Sequence, residues 1–202
     1  MLTAARRQAV VLGASAGGFS ALGRLLAALP RGFPLPVLVV QHLHRHQEGV
    51  LLHGVADRCR LEVREAAPSM PVEPGAVYFA PPNYHLLVEP TRTLALSVDA
   101  KVHHCRPSID VTLESASAVW GPGLVGVVLT GANRDGSLGL QAVRRRGGLA
   151  IVQDPADAEV PFMPAGALEA GPVDHVAPLD GIPPLLLAAA GLGGPLAPGE
   201  TS

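Results

Sequence analysis

Three residues of this chain have the side-chain types needed for nucleophilic catalysis, and they stand at comparable places: Ser15, His42 and Asp135. Ser15 follows the apolar run Ala9-Val10-Val11-Leu12. His42 closes Val37-Leu38-Val39-Val40-Gln41, and Asp135 lies just beyond Leu124-Val125-Gly126-Val127-Val128-Leu129. A serine hydroxyl is a poor nucleophile until a base removes its proton. An imidazole can do that near neutral pH, and a carboxylate can fix the imidazole tautomer and stabilise the imidazolium. If the apolar runs are strands of one parallel sheet, all three residues emerge past carboxyl ends, where open α/β sheets place their sites. The chain order Ser, His, Asp differs from the Ser, Asp, His order of α/β-hydrolases. The G-x-S-x-G match at Gly13-Ala14-Ser15-Ala16-Gly17 therefore does not bring that fold with it.

Each residue also has a plainer reading. Gly13-Ala14-Ser15-Ala16-Gly17-Gly18 could be an anion cradle of free N–H groups at a helix start, or ordinary turn chemistry. It lacks the Lys of a P-loop and the spacing of G-x-G-x-x-G. Asp135 could simply cap the helix that follows it. His42-Leu43-His44-Arg45-His46 invites a metal, because alternate residues of a strand share a face. That segment falls after the strand, however, and no carboxylate-and-histidine partner set follows it. His103-His104-Cys105 are adjacent rather than spaced for chelation, so no metal is assigned. Arg144-Arg145-Arg146 suit a helix C-terminus facing water.

The elements that must position these residues follow from pattern and composition. With 48% hydrophobic but only 3% aromatic residues, the core has to be aliphatic. Unbroken Val/Leu/Ala runs suit buried parallel strands. Strands are expected near 8–12, 36–41, 124–129, 149–153 and 173–176, and helices near 17–29, 47–56, 107–119, 137–146, 164–170 and 179–192. The segment from Leu61 to Ser97 reads as short strands, Val77–Ala80, His85–Val88 and Thr93–Ser97, in a hairpin or edge region. The fold class is therefore α/β: doubly wound, with a mainly parallel sheet, helices on both faces and a small antiparallel hairpin. Residues 1–192 are expected to form one domain and 193–202 a disordered tail. A net charge of −2 gives no footprint for nucleic acid. Cys59 and Cys105 are too few for a disulfide scaffold and fit a reducing compartment. Arg6-Arg7 followed by Ala14-Ser15-Ala16 imitates an export signal, but the segment reads better as strand, turn and helix. No apolar run is long enough to span a membrane.

Taken together, several motifs resemble the catalytic domain of CheB-type chemotaxis protein-glutamate methylesterases. They are Gly13-Ala14-Ser15-Ala16-Gly17-Gly18, Val39-Val40-Gln41-His42, Arg106-Pro107-Ser108-Ile109-Asp110 and Leu129-Thr130-Gly131-Ala132-Asn133-Arg134-Asp135-Gly136. To these are added Gln153-Asp154-Pro155 and Ala158-Glu159-Val160-Pro161-Phe162-Met163-Pro164. The order and approximate spacing agree from about residue 8 to residue 190. The resemblance implies a doubly wound α/β serine hydrolase that removes methyl groups from glutamate esters of methyl-accepting chemoreceptors, with deamidation of receptor glutamines in many members. It implies Ser15 as nucleophile, His42 as base, Asp135 as orienting carboxylate, and no metal or organic cofactor. Backbone N–H groups near Ala16, Gly17 and Ala132 are expected to meet the oxyanion. The implied setting is the cytoplasm, with a receptor as substrate, no membrane insertion, and a separate response regulator as a candidate partner. Three neighbours depart from the family's usual residues: Ala16 for Thr, Ala132 for Met, and Arg134 for Asn or Asp. Only 14 residues precede Ser15, so the N-terminal receiver domain common in the family is not expected. The alternatives are a regulatory module of the same fold with impaired chemistry and, less well supported, a phosphate binder.

Overall fold

The structure is a computed structural model and describes residues 6–42 and 54–194. The predicted helix 47–56, and His44 and His46 of the histidine-rich stretch, fall wholly or mostly outside those residues. A central parallel sheet is built from β1 (Ala9–Ala14), β2 (Val37–Gln41), β3 (Glu62–Glu65), β4 (Ala76–Phe79), β7 (Leu124–Val128), β8 (Leu149–Gln153) and β9 (His175–Ala177). Its order is β3-β4-β2-β1-β7-β8-β9, and every pairing in it is parallel. A separate antiparallel hairpin pairs β5 (His85–Val88) with β6 (Leu94–Ser97).

Burial on both faces explains the unbroken apolar strands. Along β1, Val10 and Leu12 face one core, and Ala9 and Val11 face the other. The first core is closed by α1 (Gly18–Ala27) and α5 (Ile182–Ala189), through Leu22, Leu25, Leu26, Ile182 and Leu186. The second is closed by α2 (Ile109–Trp120), α3 (Ser137–Arg145) and α4 (Phe162–Glu169), through Ile109, Leu113, Leu140, Val143 and Met163. The hairpin residues Leu86, Val88 and Leu94 join this second core. Helices on both faces of a parallel sheet make the predicted doubly wound class. The chain moves outward from β1 to β2 on one side and returns to β7 on the other, so the strand order reverses at β1. In open α/β sheets such a reversal is where sites form, beyond the carboxyl ends of the strands, here β1, β2 and β7.

Three expectations need correction. Val77–Phe79 belongs to β4, inside the parallel sheet between β3 and β2, and not to the hairpin. Strand β3 was not expected, because Glu62-Val63-Arg64-Glu65 is a half-exposed edge strand without an apolar run. The last helix starts later than the pattern suggests. Leu179–Gly181 form a 3-10 turn, and α5 begins at Ile182 with Pro183 and Pro184 in its first turn, where a missing N–H costs nothing.

Helices α2 and α3 cross at a point where only glycine fits. A Cβ on Gly139 would lie 2.7 Å from Leu113 Cβ and 2.9 Å from both Asp110 Cα and the Asp110 carbonyl oxygen. Gly139 N–H also donates to Asp110 Oδ1 at 2.6 Å. Backbone cannot swing aside as a side chain can, so Gly139→Ala has to push the helices apart. A loss of about 1–3 kcal/mol is expected, read as a lower urea midpoint with an unchanged slope.

Candidate active site

The ends of three strands are stitched together so that Ser15 and His42 leave the sheet side by side. Ala14 pairs with Gln41 in the parallel register, and the next residues are Ser15 and His42. His42 N–H donates to the Ala14 carbonyl at 3.1 Å, and Ser15 N–H donates to the Thr130 carbonyl at 3.0 Å. The Gln41 amide donates to the carbonyls of Ser15 and His42, each at 2.8 Å. Gly18 N–H closes the turn on the Ser15 carbonyl at 2.8 Å. Gly17 enters α1 with φ of 77°, a conformation open to glycine at little cost.

Asp135 comes from the loop after β7, and its side chain is fully buried. It does not cap its own helix, as one sequence reading allowed. Gly136 holds the N-cap position of α3 without a side-chain bond. Asp135 instead reaches the start of α2. Its Oδ1 accepts from Ser108 Oγ at 2.8 Å and Asp110 N–H at 3.0 Å; its Oδ2 accepts from Ile109 N–H at 2.7 Å and His42 Nε2 at 2.8 Å. Burial alone would raise this carboxyl's pKa. The bond and charge of His42, with the Asp110 and Ile109 N–H groups, outweigh burial and hold it below the ordinary carboxylate range.

Because Asp135 is an acceptor, His42 Nε2 carries the proton and Nδ1 presents the lone pair. Asn133 Nδ2 donates toward that nitrogen at 3.2 Å, and Cys105 Sγ lies 3.6 Å from it. Burial pulls the His42 pKa down, but the Asp135 bond, the Cys105 contact and the Asp135 charge raise it to about 9. A base works only in its neutral form. If His42 is that base, kcat/KM should rise roughly tenfold per pH unit through neutrality and level off near that value. A pH–rate profile checks this; a flat profile from pH 6 to 9 contradicts it.

Ser15 Oγ has no hydrogen-bond partner among the described residues. The serine–imidazole contact expected from the sequence is thus a neighbouring placement and not a formed bond. Catalytic hydrogen bonds are often long or misaligned before substrate binds. The N–H groups of Ala16, Gly17 and Ala132 also lack acceptors among the described residues, whereas Gly131 N–H is spent on the Val160 carbonyl at 3.0 Å. Free N–H groups near the serine are what an oxyanion requires.

Residues 10–186 match the sequence profile of the CheB methylesterase domain. The chain belongs to the CheB methylesterase family. It is 43% identical over 180 residues to a Leptospira interrogans protein provisionally named protein-glutamate methylesterase/protein-glutamine glutaminase, covering 89% of this chain and 93% of that one. It is 40% identical to the protein-glutamate methylesterase FrzG of Myxococcus xanthus over 173 residues, 86% of this chain but 52% of that protein. The chain therefore spans about half the length of its longer relatives. The crystal structure of the Thermotoga maritima CheB methylesterase catalytic domain superposes with a TM-score of 0.86 at 33% identity, covering 91% of this chain and 98% of that one.

Against this family background the unusual neighbours leave the His42–Asp135 pair intact. Arg134 turns outward to Glu169 at 2.6 Å and lies 5.7 Å from the centre of the Phe162 ring. Ala16 and Ala132 remove side-chain bulk beside free N–H groups. A Cβ on Gly17 would lie 3.0 Å from Glu159 Oε2, so Glu159 packs against the Cα of this turn. Sequence reasoning missed three contributors: Ser108 and Asn133, which sit inside motifs noted for resemblance alone, and Cys105, which the fold brings to His42 from 63 residues away. Donor atoms of His42, Cys105 and Asp135 all lie within 4.8 Å of one another.

Proposed function

We propose that this chain is a serine esterase that hydrolyses glutamate methyl esters on a chemoreceptor, and that it also deamidates receptor glutamines, as the paired activity names of its relatives suggest. The observation that carries the reading is the buried His42 Nε2–Asp135 bond of 2.8 Å, with Ser15 next to His42 across the parallel register. Ser15 Oγ attacks the ester carbonyl and gives its proton to His42 Nδ1, the nitrogen opposite Asp135. The imidazolium then protonates the departing methoxide, and methanol leaves. A water, deprotonated by the same nitrogen, releases the glutamate and returns the serine. On a glutamine the same steps expel ammonia. Ala16, Gly17 and Ala132 N–H groups are the assigned oxyanion donors, and Asp135 keeps the proton on Nε2 throughout.

No described helix is long and apolar enough to cross a membrane. We place the enzyme in the cytoplasm, facing the receptor's inner helices, with residues 1–192 as one catalytic domain and a response regulator on another chain as its partner.

A serine-directed fluorophosphonate tests the chemistry without knowledge of the receptor. One adduct per chain is expected, on the peptide that carries Ser15, together with loss of methanol release from methylated receptor. Adduct formation elsewhere, with hydrolysis retained, refutes the assignment.

A further inference from the structure

The amide of Asn133 occupies the place on His42 that the hydrolytic steps reserve for Ser15. Its Nδ2 lies 3.2 Å from His42 Nδ1 and 3.2 Å from Cys105 Sγ. Which end of the amide faces the ring is fixed by the backbone. Asn133 Oδ1 accepts from Asp135 N–H at 3.0 Å, so turning the amide over would set its NH₂ group against that N–H, donor against donor. Nδ2 therefore faces the imidazole, and Nδ1 has to be an acceptor. Asn133 and Asp135, two residues apart on one loop, dictate opposite roles to the two ring nitrogens. Asp135 Oδ2 requires a proton on Nε2, and Asn133 requires none on Nδ1.

The other N–H of the amide has an acceptor of its own. The Cys105 thiol donates to the His103 carbonyl at 3.4 Å, which leaves its sulfur to accept from Asn133. The amide can then let go of Nδ1 without being stranded. The arrangement also accounts for Ser15 Oγ having no partner among the described residues: the lone pair it needs is already taken.

We propose that Asn133 is a positioning residue for the base: its amide keeps His42 Nδ1 proton-free in the free chain and yields that nitrogen to Ser15 when substrate is attacked. The second half rests on the esterase reading; the first does not. In the attack the bond from Ser15 Oγ to the ester carbon forms, the carbonyl π bond breaks, and the hydroxyl proton passes to Nδ1. Nδ1–H then confronts the Asn133 N–H, and the amide turns aside, still held by Asp135 N–H and Cys105. A hydrogen bond to the lone pair favours the neutral ring, so its loss should raise the pH at which His42 gives up its proton. Among the described residues, the titratable groups facing the ring are Asp135 on Nε2 and Cys105 on Nδ1. Beyond Asp135 stand Asp110, at the start of α2, and His103, whose Nε2 is 3.5 Å from Asp110 Oδ2.

The test compares Asn133→Ala with Asn133→Asp in the whole chain, each confirmed as folded by circular dichroism. Alanine removes the donor to Nδ1 and the acceptor for Asp135 N–H together. Aspartate keeps that acceptor but puts a carboxylate oxygen where the donor stood. The ring nitrogens of His42 are followed by ¹⁵N NMR from about pH 5 to 11 and assigned by their loss in His42→Gln. Wild type should give a neutral ring protonated on Nε2. The inflection should rise by about half a pH unit or more in Asn133→Ala, the scale of one hydrogen bond. In Asn133→Asp, where a negative charge replaces the donor, it should rise by more than about one unit. Methanol release near neutral pH should fall about threefold or more in the first and about tenfold or more in the second. A packing role gives the reverse order, since only alanine breaks the bond to Asp135. An unmoved inflection in both variants, a larger shift with alanine than with aspartate, or a neutral wild-type ring protonated on Nδ1 overturns the proposal. Shifted inflections with unchanged methanol release overturn the hand-over to Ser15. A wild type that releases no methanol refutes the esterase reading, while the NMR titration still decides the Asn133 contact.

Discussion

Ser15→Ala should lower methyl-ester hydrolysis by about 10⁴-fold or more while leaving the fold as stable as before. The two halves of this expectation come from different atoms of the same residue. The backbone of Ser15 does the structural work: its N–H ties β1 to the Thr130 carbonyl, and its carbonyl accepts from Gly18 N–H and the Gln41 amide. Alanine keeps all of these. The hydroxyl has no partner among the described residues, so its removal strands no buried donor or acceptor. The His42–Asp135 bond, formed without the serine, should survive, and with it the pH titration of the imidazole. What is lost is the hydroxyl proposed to form the acyl-enzyme. Residual activity should come from water acting within the free N–H groups and the bound substrate geometry. The measurement is methanol release from methylated receptor, paired with a thermal melt. Hydrolysis within tenfold of wild type at an unchanged melting temperature would mean that a different nucleophile operates.

Much of this arrangement could be read from residue patterns, and the parts that could not have physical reasons. Strands β1, β2, β7 and β8 are buried on both faces, so each must be apolar at successive positions, and an unbroken Val/Leu/Ala run announces it. Ser15 and His42 then follow by counting, since each is the first residue past the strand that such a run forms. Strand β3 escapes the same logic. Its Arg64 is bonded at 2.7–2.8 Å to Glu62 and Glu73 on the sheet edge, and charge there satisfies the edge without leaving an apolar signature. Asp135 was recognisable as a candidate, but its partner was not. A carboxylate before a helix reads locally as that helix's cap, whereas this one caps a helix that begins 26 residues earlier. Cys105 depends still more on long-range structure. Nothing in His103-His104-Cys105 shows that a two-residue turn will aim the sulfur at an imidazole on a distant strand.

The same long-range capping makes Asp135→Asn the second severe substitution, with about a 10⁴-fold fall in kcat and a stability loss of about 3 kcal/mol. An amide fills the same space but has only one acceptor. If its oxygen faces His42, its NH₂ group confronts Asp110 N–H, donor against donor, in a site closed to water. If its NH₂ faces His42, it forces the proton from Nε2 to Nδ1, and the lone pair that should deprotonate Ser15 disappears. Either orientation also removes the negative charge from the N-terminus of α2, where the first-turn N–H groups favour it. The stability loss should depend on pH in a set direction. The Asp135 carboxyl is held below its ordinary pKa in the folded chain, so its contribution is full above the unfolded value of about 4. It drains away as pH falls through the lower folded value. Urea midpoints of wild type and Asp135→Asn should therefore differ most at neutral pH and converge in acid. A variant that loses activity but melts with wild type at every pH would leave Asp135 a role in catalysis and none in holding α2.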